Sequence, residues 1–156
     1  MDRKILGIQQ RIDALEAKAQ TAPVGSDPEL QAQLARFLCV LSSGLIEQAL
    51  IVVLEHYAKR KSQDRVGQFV SHYLSRIQNA KFKDILVTVG RFDPEWREHF
   101  ETTTDDEVKD AIDSIVNNRN QIAHGVQVGI SLATFSGYYK SVKRFIVDLE
   151  TFVNSH

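Results

Sequence analysis

From Pro28 to Lys61 the sequence contains one glycine, Gly44, and no proline after the first residue. Between Phe37 and Leu54 it is apolar at nearly every position, broken only by Ser42, Ser43, Gly44, Glu47 and Gln48. A run of that length without breakers is predicted as one long helix. A helix that is apolar around its whole circumference has to be covered on every side. The four polar side chains argue against a membrane span, so the segment is expected to be the core helix about which the rest of the chain packs.

The remaining helices follow from spacing and punctuation. Ile5, Ile8, Ile12 and Leu15 recur every three or four residues and define an amphipathic N-terminal helix over about 3–20. Residues 22–28 read as a linker, with Pro23, Gly25 and an Asp27 cap before Pro28. That first helix is free to dock on its own domain or on another subunit. A third helix is predicted from Gln63 to Asn79, with Val66, Phe69, Val70, Tyr73, Leu74 and Ile77 on one face. One or two short helices follow over 81–100, broken near Asp93-Pro94. Thr104-Asp105-Asp106-Glu107 has the pattern of a capping box and opens a helix that continues to about Ala123. Gly125 is placed to end it in a left-handed conformation, and a last helix runs from Leu132 to Asn154. No strand, repeat or low-complexity tract is evident. The prediction is a single all-α domain over 1–156: an N-terminal helix (1–21), a linker (22–28) and a helical bundle (29–156).

Composition narrows the functional classes. With 43% hydrophobic and 25% charged residues in 156, the chain can bury a core without staples. The lone cysteine, Cys39, lies in an apolar run and reads as a buried, inert thiol of a reducing compartment. No signal-peptide-like stretch follows Met1-Asp2-Arg3-Lys4, and a cytoplasmic location is expected. A net charge of −1 provides no broad basic field, so any nucleic-acid binding has to be local. Five histidines are scattered without ligand spacing and no phosphate-cradling loop is present, so neither a metal nor a cofactor is expected.

The chemistry concentrates on the helix that ends at Arg119-Asn120-Gln121-Ile122-Ala123-His124-Gly125. On a wheel of ~100° per residue, Val108, Ala111, Ile112, Ile115, Val116, Ile122 and Ala123 share one arc. Arg119 stands near its middle, where an apolar residue is expected. A narrow stripe of Asp113, Asn117, Asn120 and His124 borders that arc. Two readings of Arg119 are open: its stem packs while its head reaches water or a carboxylate such as Asp113, Glu47 or Glu55, or its guanidinium clamps a phosphate. His124 is either a helix-end histidine suited to the C-terminal dipole or a general acid–base. Lys59-Arg60-Lys61 with Arg65, and Lys140, Lys143 and Arg144, are solvated charges or RNA contacts. Tyr138 and Tyr139 are stacking platforms or core.

Arg119-Asn120-Gln121-Ile122-Ala123-His124 matches the R-x4-6-H motif of the HEPN superfamily, in its form with a polar residue directly after the arginine. With the helix Ser42-Ser43-Gly44-Leu45-Ile46-Glu47-Gln48-Ala49-Leu50, the chain resembles the RiboL-PSP-type branch, in which an early core helix carries an acid; Glu47 is the candidate. The resemblance implies an up-and-down bundle with the motif in the penultimate helix. It also implies a metal-independent endoribonuclease that acts as a homodimer, two motifs facing each other across one composite cleft. Carried over, Arg119 binds the scissile phosphate, His124 moves protons and Asn120 orients either; Glu47, Asn117 and Asp113 support them. Attack by the 2′-OH leaves a 2′,3′-cyclic phosphate, so the implied partner is RNA. Members of this kind are commonly toxins or effectors of bacterial defence, with an antitoxin or regulatory protein as a further partner. The alternatives are a non-catalytic module that dimerises and docks partners through the Ile5-Ile8-Ile12-Leu15 stripe, and an RNA or nucleotide binder without turnover.

Overall fold

The Asp27 carboxylate accepts the Glu29 amide at 3.0 Å and Pro28 occupies the first turn, which starts the long helix at its predicted residue. The computed structural model describes residues 1–21 and 27–156. Among these residues there are seven helices and no strand: α1 Arg3–Gln20, α2 Pro28–Lys61, α3 Asp64–Leu74, α4 Phe82–Gly90, α5 Pro94–Thr103, α6 Asp106–Ala123 and α7 Leu132–Asn154. The centre of the predicted linker, residues 22–26, lies outside the described residues.

Helix α2 is the axis of the bundle. It packs against α1, α3, α6 and α7, and the six consecutive residues Ala49–Leu54 are all buried. Six neighbours in sequence can be buried together only when other helices surround the segment. Each leucine, isoleucine or valine removed from water there contributes about 1.5–3 kcal/mol. This helix has the length and composition to cross a membrane, but 61% of its most apolar window is covered by the other helices. Its first turns depart from the all-round burial expected, because Phe37 and Val40 remain 44% and 37% exposed.

Helix α1 docks on its own chain. Ile5, Ile12 and Ala19 are buried against α2 and α7. A polar clasp holds its outer side: Asp13 accepts the Tyr139 hydroxyl at 2.9 Å and the Lys143 ammonium at 3.1 Å. Burial and the neighbouring Asp13 and Glu16 charges push the Tyr139 phenol well above its ordinary range, so it stays a donor.

Two local predictions need correction. The third helix stops at Leu74, five residues before the expected Asn79, and Val66 and Phe69 on its predicted core face are exposed. Asn79 adopts a left-handed φ of 55°, which turns the chain back so that Ala80 and Phe82 enter the core. Tertiary acceptors secure the turn: Glu47 takes the Asn79 N–H at 2.8 Å and Asp113 takes the Phe82 N–H at 2.7 Å. The second correction concerns the capping box. Thr104 ends α5 and Asp105 begins α6 without a side-chain cap bond, because its carboxylate pairs with Arg144 of α7.

Candidate active site on the arginine-bearing helix

Helix α6 buries Val108, Ile112 and Ile115, and the next position on that stripe is Arg119. It is half-buried, and part of its guanidinium is held by protein. One nitrogen, Nη1, donates to Asn79 Oδ1 at 3.0 Å and to Asn120 Oδ1 at 3.2 Å. Both acceptors are neutral amide oxygens. Among the described residues no carboxylate lies within ion-pair distance of Arg119, and Nη2 and Nε have no protein acceptor. Glu47 stands one residue away in the network, its carboxylate committed to the Asn79 backbone amide. The result is a positioned cation whose charge is not cancelled locally, the arrangement that suits a bound anion.

His124 is fixed differently. It is the C-cap of α6, followed by Gly125 at φ 73°. Gly125 N–H donates to Ile122 O at 3.0 Å and Val126 N–H to Gln121 O at 2.9 Å, the paired bonds of a Schellman motif. The backbone of His124 is therefore rigid while its imidazole is exposed and makes no side-chain bond among the described residues. Helix spacing sets the two positions apart around α6. Five residues separate them by about 140° around the helix and about 7.5 Å along it. Behind the motif, Arg36 Nε donates to Val128 O at 2.8 Å and ties the following loop to α2.

The other predicted residues divide into spent and available groups. Asp113 is spent on the start of α4. Lys143 pairs with Asp13 and sits over the Tyr139 ring, and Arg144 pairs with Asp105. Lys59 pairs with Glu55, and Arg60 donates to the Val153 carbonyl. Asn117 and Lys140 are exposed and without a partner among the described residues. Tyr138 is half-buried and lines a groove of about 680 Å³ between α6 and α7, together with Asp113 and Asn117. No cluster of metal-ligating side chains occurs among the described residues.

Sequence reasoning missed Asn79, which holds the arginine from outside its helix. Its one local signal is residue type: asparagine is the non-glycine residue that most readily accepts a left-handed backbone. The fold and this arginine site set the context for comparison with known proteins. The model of the family described as RiboL-PSP-HEPN matches residues 7–155. The chain belongs to the RiboL-PSP-HEPN family. No curated protein and no solved structure matches it. HEPN domains are often ribonucleases and often bind RNA and dimerise, so membership gives the chain an RNA-related, nuclease-type context.

Proposed function

We propose that this HEPN protein is a metal-independent endoribonuclease. The observation that carries the reading is the state of Arg119: half-buried, aimed by two neutral oxygens and opposed by no carboxylate among the described residues. An arginine kept for packing alone commonly pairs with an acid, yet Glu47, Asp113 and Glu55 all have other partners. In the proposed reaction Arg119 binds the scissile phosphate and offsets charge that develops on the phosphorane. His124 takes the proton of the neighbouring 2′-OH or returns one to the leaving 5′-oxygen. The 2′-O–P bond forms as the P–O5′ bond breaks, leaving a 2′,3′-cyclic phosphate and a 5′-hydroxyl. Asn120 fixes the arginine from its own helix.

Because the two positions stand apart around α6 within a protomer, the reading requires a cleft to which two copies contribute. A cytoplasmic toxin or defence effector, restrained by an antitoxin or regulatory protein, is the role this activity suggests. The module alternative loses its motive, since Ile5 and Ile12 of the N-terminal stripe are spent inside the protein's own core.

The test is cleavage of single-stranded RNA in EDTA by the native protein, Arg119→Ala and His124→Ala. Loss of an acid–base group is expected to cost ~100- to 10,000-fold, with cyclic phosphate ends and no cutting of DNA. Equal rates for native protein and His124→Ala remove that histidine from the mechanism. If none of the three cuts RNA, the proposal is defeated.

A further inference from the structure

Helix α1 engages its acids and leaves its cations free. Asp13 holds Tyr139 and Lys143 of α7, and Glu16 accepts the Ser136 hydroxyl. Arg3, Lys4 and Arg11 are exposed and have no ion pair or side-chain hydrogen bond among the described residues. All three line a groove of about 520 Å³ between α1 and α2, and no acid lines it with them.

The floor of that groove is apolar, formed by Ile8 and Ile12 of α1 and by Val40 and Leu41 of α2. The α2 stripe extends beyond it: Phe37, Leu41, Gly44 and Gln48 recur every three or four residues over about 16 Å, and Phe37 is exposed. Two glycines keep the groove wide. Gly7 and Gly44 both line it, each in the interior of a helix, and a Cβ at either position would meet nothing within 4 Å. Glycine weakens a helix interior relative to alanine, and the protein's own packing does not require it at these two places. Its effect there is to let another helix approach both backbones closely.

Shape and sign select the occupant. An apolar floor about three turns long accepts the apolar face of one helix. Lys4 and Arg11 are seven residues apart on one side of α1, about 10 Å along it, so they meet acids two turns apart on the edge of that helix. A nucleic-acid strand would leave Ile8, Val40 and Leu41 unused, and a bilayer takes an apolar face that protrudes instead of one that is recessed. A second copy has the wrong charge. Among the described residues, the other exposed pair of large apolar side chains at helical spacing is Val66 and Phe69 of α3, where Arg65 adjoins and Asp64 is the one acid.

We propose that the α1–α2 groove docks an amphipathic helix of a partner protein, apolar along its base and acidic along its edge. The site uses the Gly7 side of α1, not the Ile5 side that the core already covers, and it is independent of the ribonuclease reading.

The test is a displayed library of peptides of about 18 residues, five helical turns, with leucines fixed at three- and four-residue spacing and the flanking positions randomised, selected on the native protein. Retained peptides are expected to be rich in Asp and Glu at the flanks. The tightest of them, labelled with fluorescein and followed by anisotropy, is expected to lose binding to Gly44→Leu and to Gly7→Leu. Both variants fill open space and replace a residue that weakens a helix, so their urea midpoints are expected to stay at or above the native value. Arg11→Glu is expected to bind the peptide about 5-fold more weakly, the effect of one exposed ion pair, and a lysine in place of one flanking acid of the peptide is expected to restore binding to that variant.

Failure to retain any peptide, retained peptides without flanking acids, or equal binding to the two leucine variants overturns the proposal. A native dimer that Gly44→Leu converts to a monomer in sedimentation also overturns it, by making the occupant a second copy. Co-sedimentation with phosphatidylserine vesicles that is abolished by Arg11→Glu overturns it in favour of a membrane surface.

Discussion

Replacing Asn79 separates what holds Arg119 from what holds the fold. Its Oδ1 accepts a guanidinium N–H at 3.0 Å, and its backbone sits at φ 55°. A hydrogen bond to a charged donor contributes about 1.5–3 kcal/mol. A left-handed backbone costs a non-glycine residue about 1–2 kcal/mol, which glycine escapes. In Asn79→Gly these terms oppose, so the denaturation midpoint is expected to move little. The arginine meanwhile loses its outer restraint, and kcat/KM on single-stranded RNA is expected to fall about 10- to 150-fold, the same energy read as a rate. Asn79→Ala loses the bond and keeps the strain, and is expected to be less stable than Asn79→Gly. Asn79→Asp puts a carboxylate on the guanidinium: stability is kept, KM rises because phosphate now competes with an internal anion, and cleavage drops. The assay is a quenched-fluorophore RNA in EDTA beside urea unfolding of each variant. Native cleavage by Asn79→Gly, or by Asn79→Asp, would refute the argument that a neutral acceptor aims this arginine.

Two further predictions rest on the motif loop and the core. Gly125→Ala forces an L side chain to φ 73° at the end of α6 and is expected to cost about 1 kcal/mol or more in urea unfolding, with a larger loss of RNA cleavage than of stability because it moves His124; a neutral effect on both would show that the Schellman turn is not needed. Burial pushes the Cys39 thiol up to about 12 from 9.0, so at pH 8 its thiolate fraction is about 1000-fold below that of the unfolded chain, and labelling by a disulfide reagent is expected only on unfolding. Because the folded value is raised, this group's stabilisation is full below pH 9 and is lost as pH climbs toward 12; a labelling rate independent of denaturant would contradict the placement.

Much of the fold was legible because its signals are local. Asp27-Pro28 marks the start of α2, Gly125 ends α6, and the spacing of Ile5 and Ile12 marks the buried side of α1. The errors fell where two local signals competed or a distant group intervened. Thr104 suits a cap, but the Asp105 carboxylate that follows is drawn to Arg144 on another helix. The apolar periodicity of Val66 and Phe69 suggested burial, yet α3 packs chiefly on α2 and leaves both side chains exposed among the described residues.

Chain chemistry by itself determined an all-helical bundle about one apolar core helix, and placed an arginine where a hydrophobic side chain belonged. Helix period and capping act over four or five residues, so a linear reading captures them. What the arginine can do was decided only in three dimensions. Glu47, Asn79 and Arg119 are 32 and 40 residues apart in the chain, and the bond from one to the next exists because α2, the α3–α4 turn and α6 converge. That convergence leaves the guanidinium aimed by neutral oxygens and its charge unspent, a property of where three segments meet that no single segment encodes.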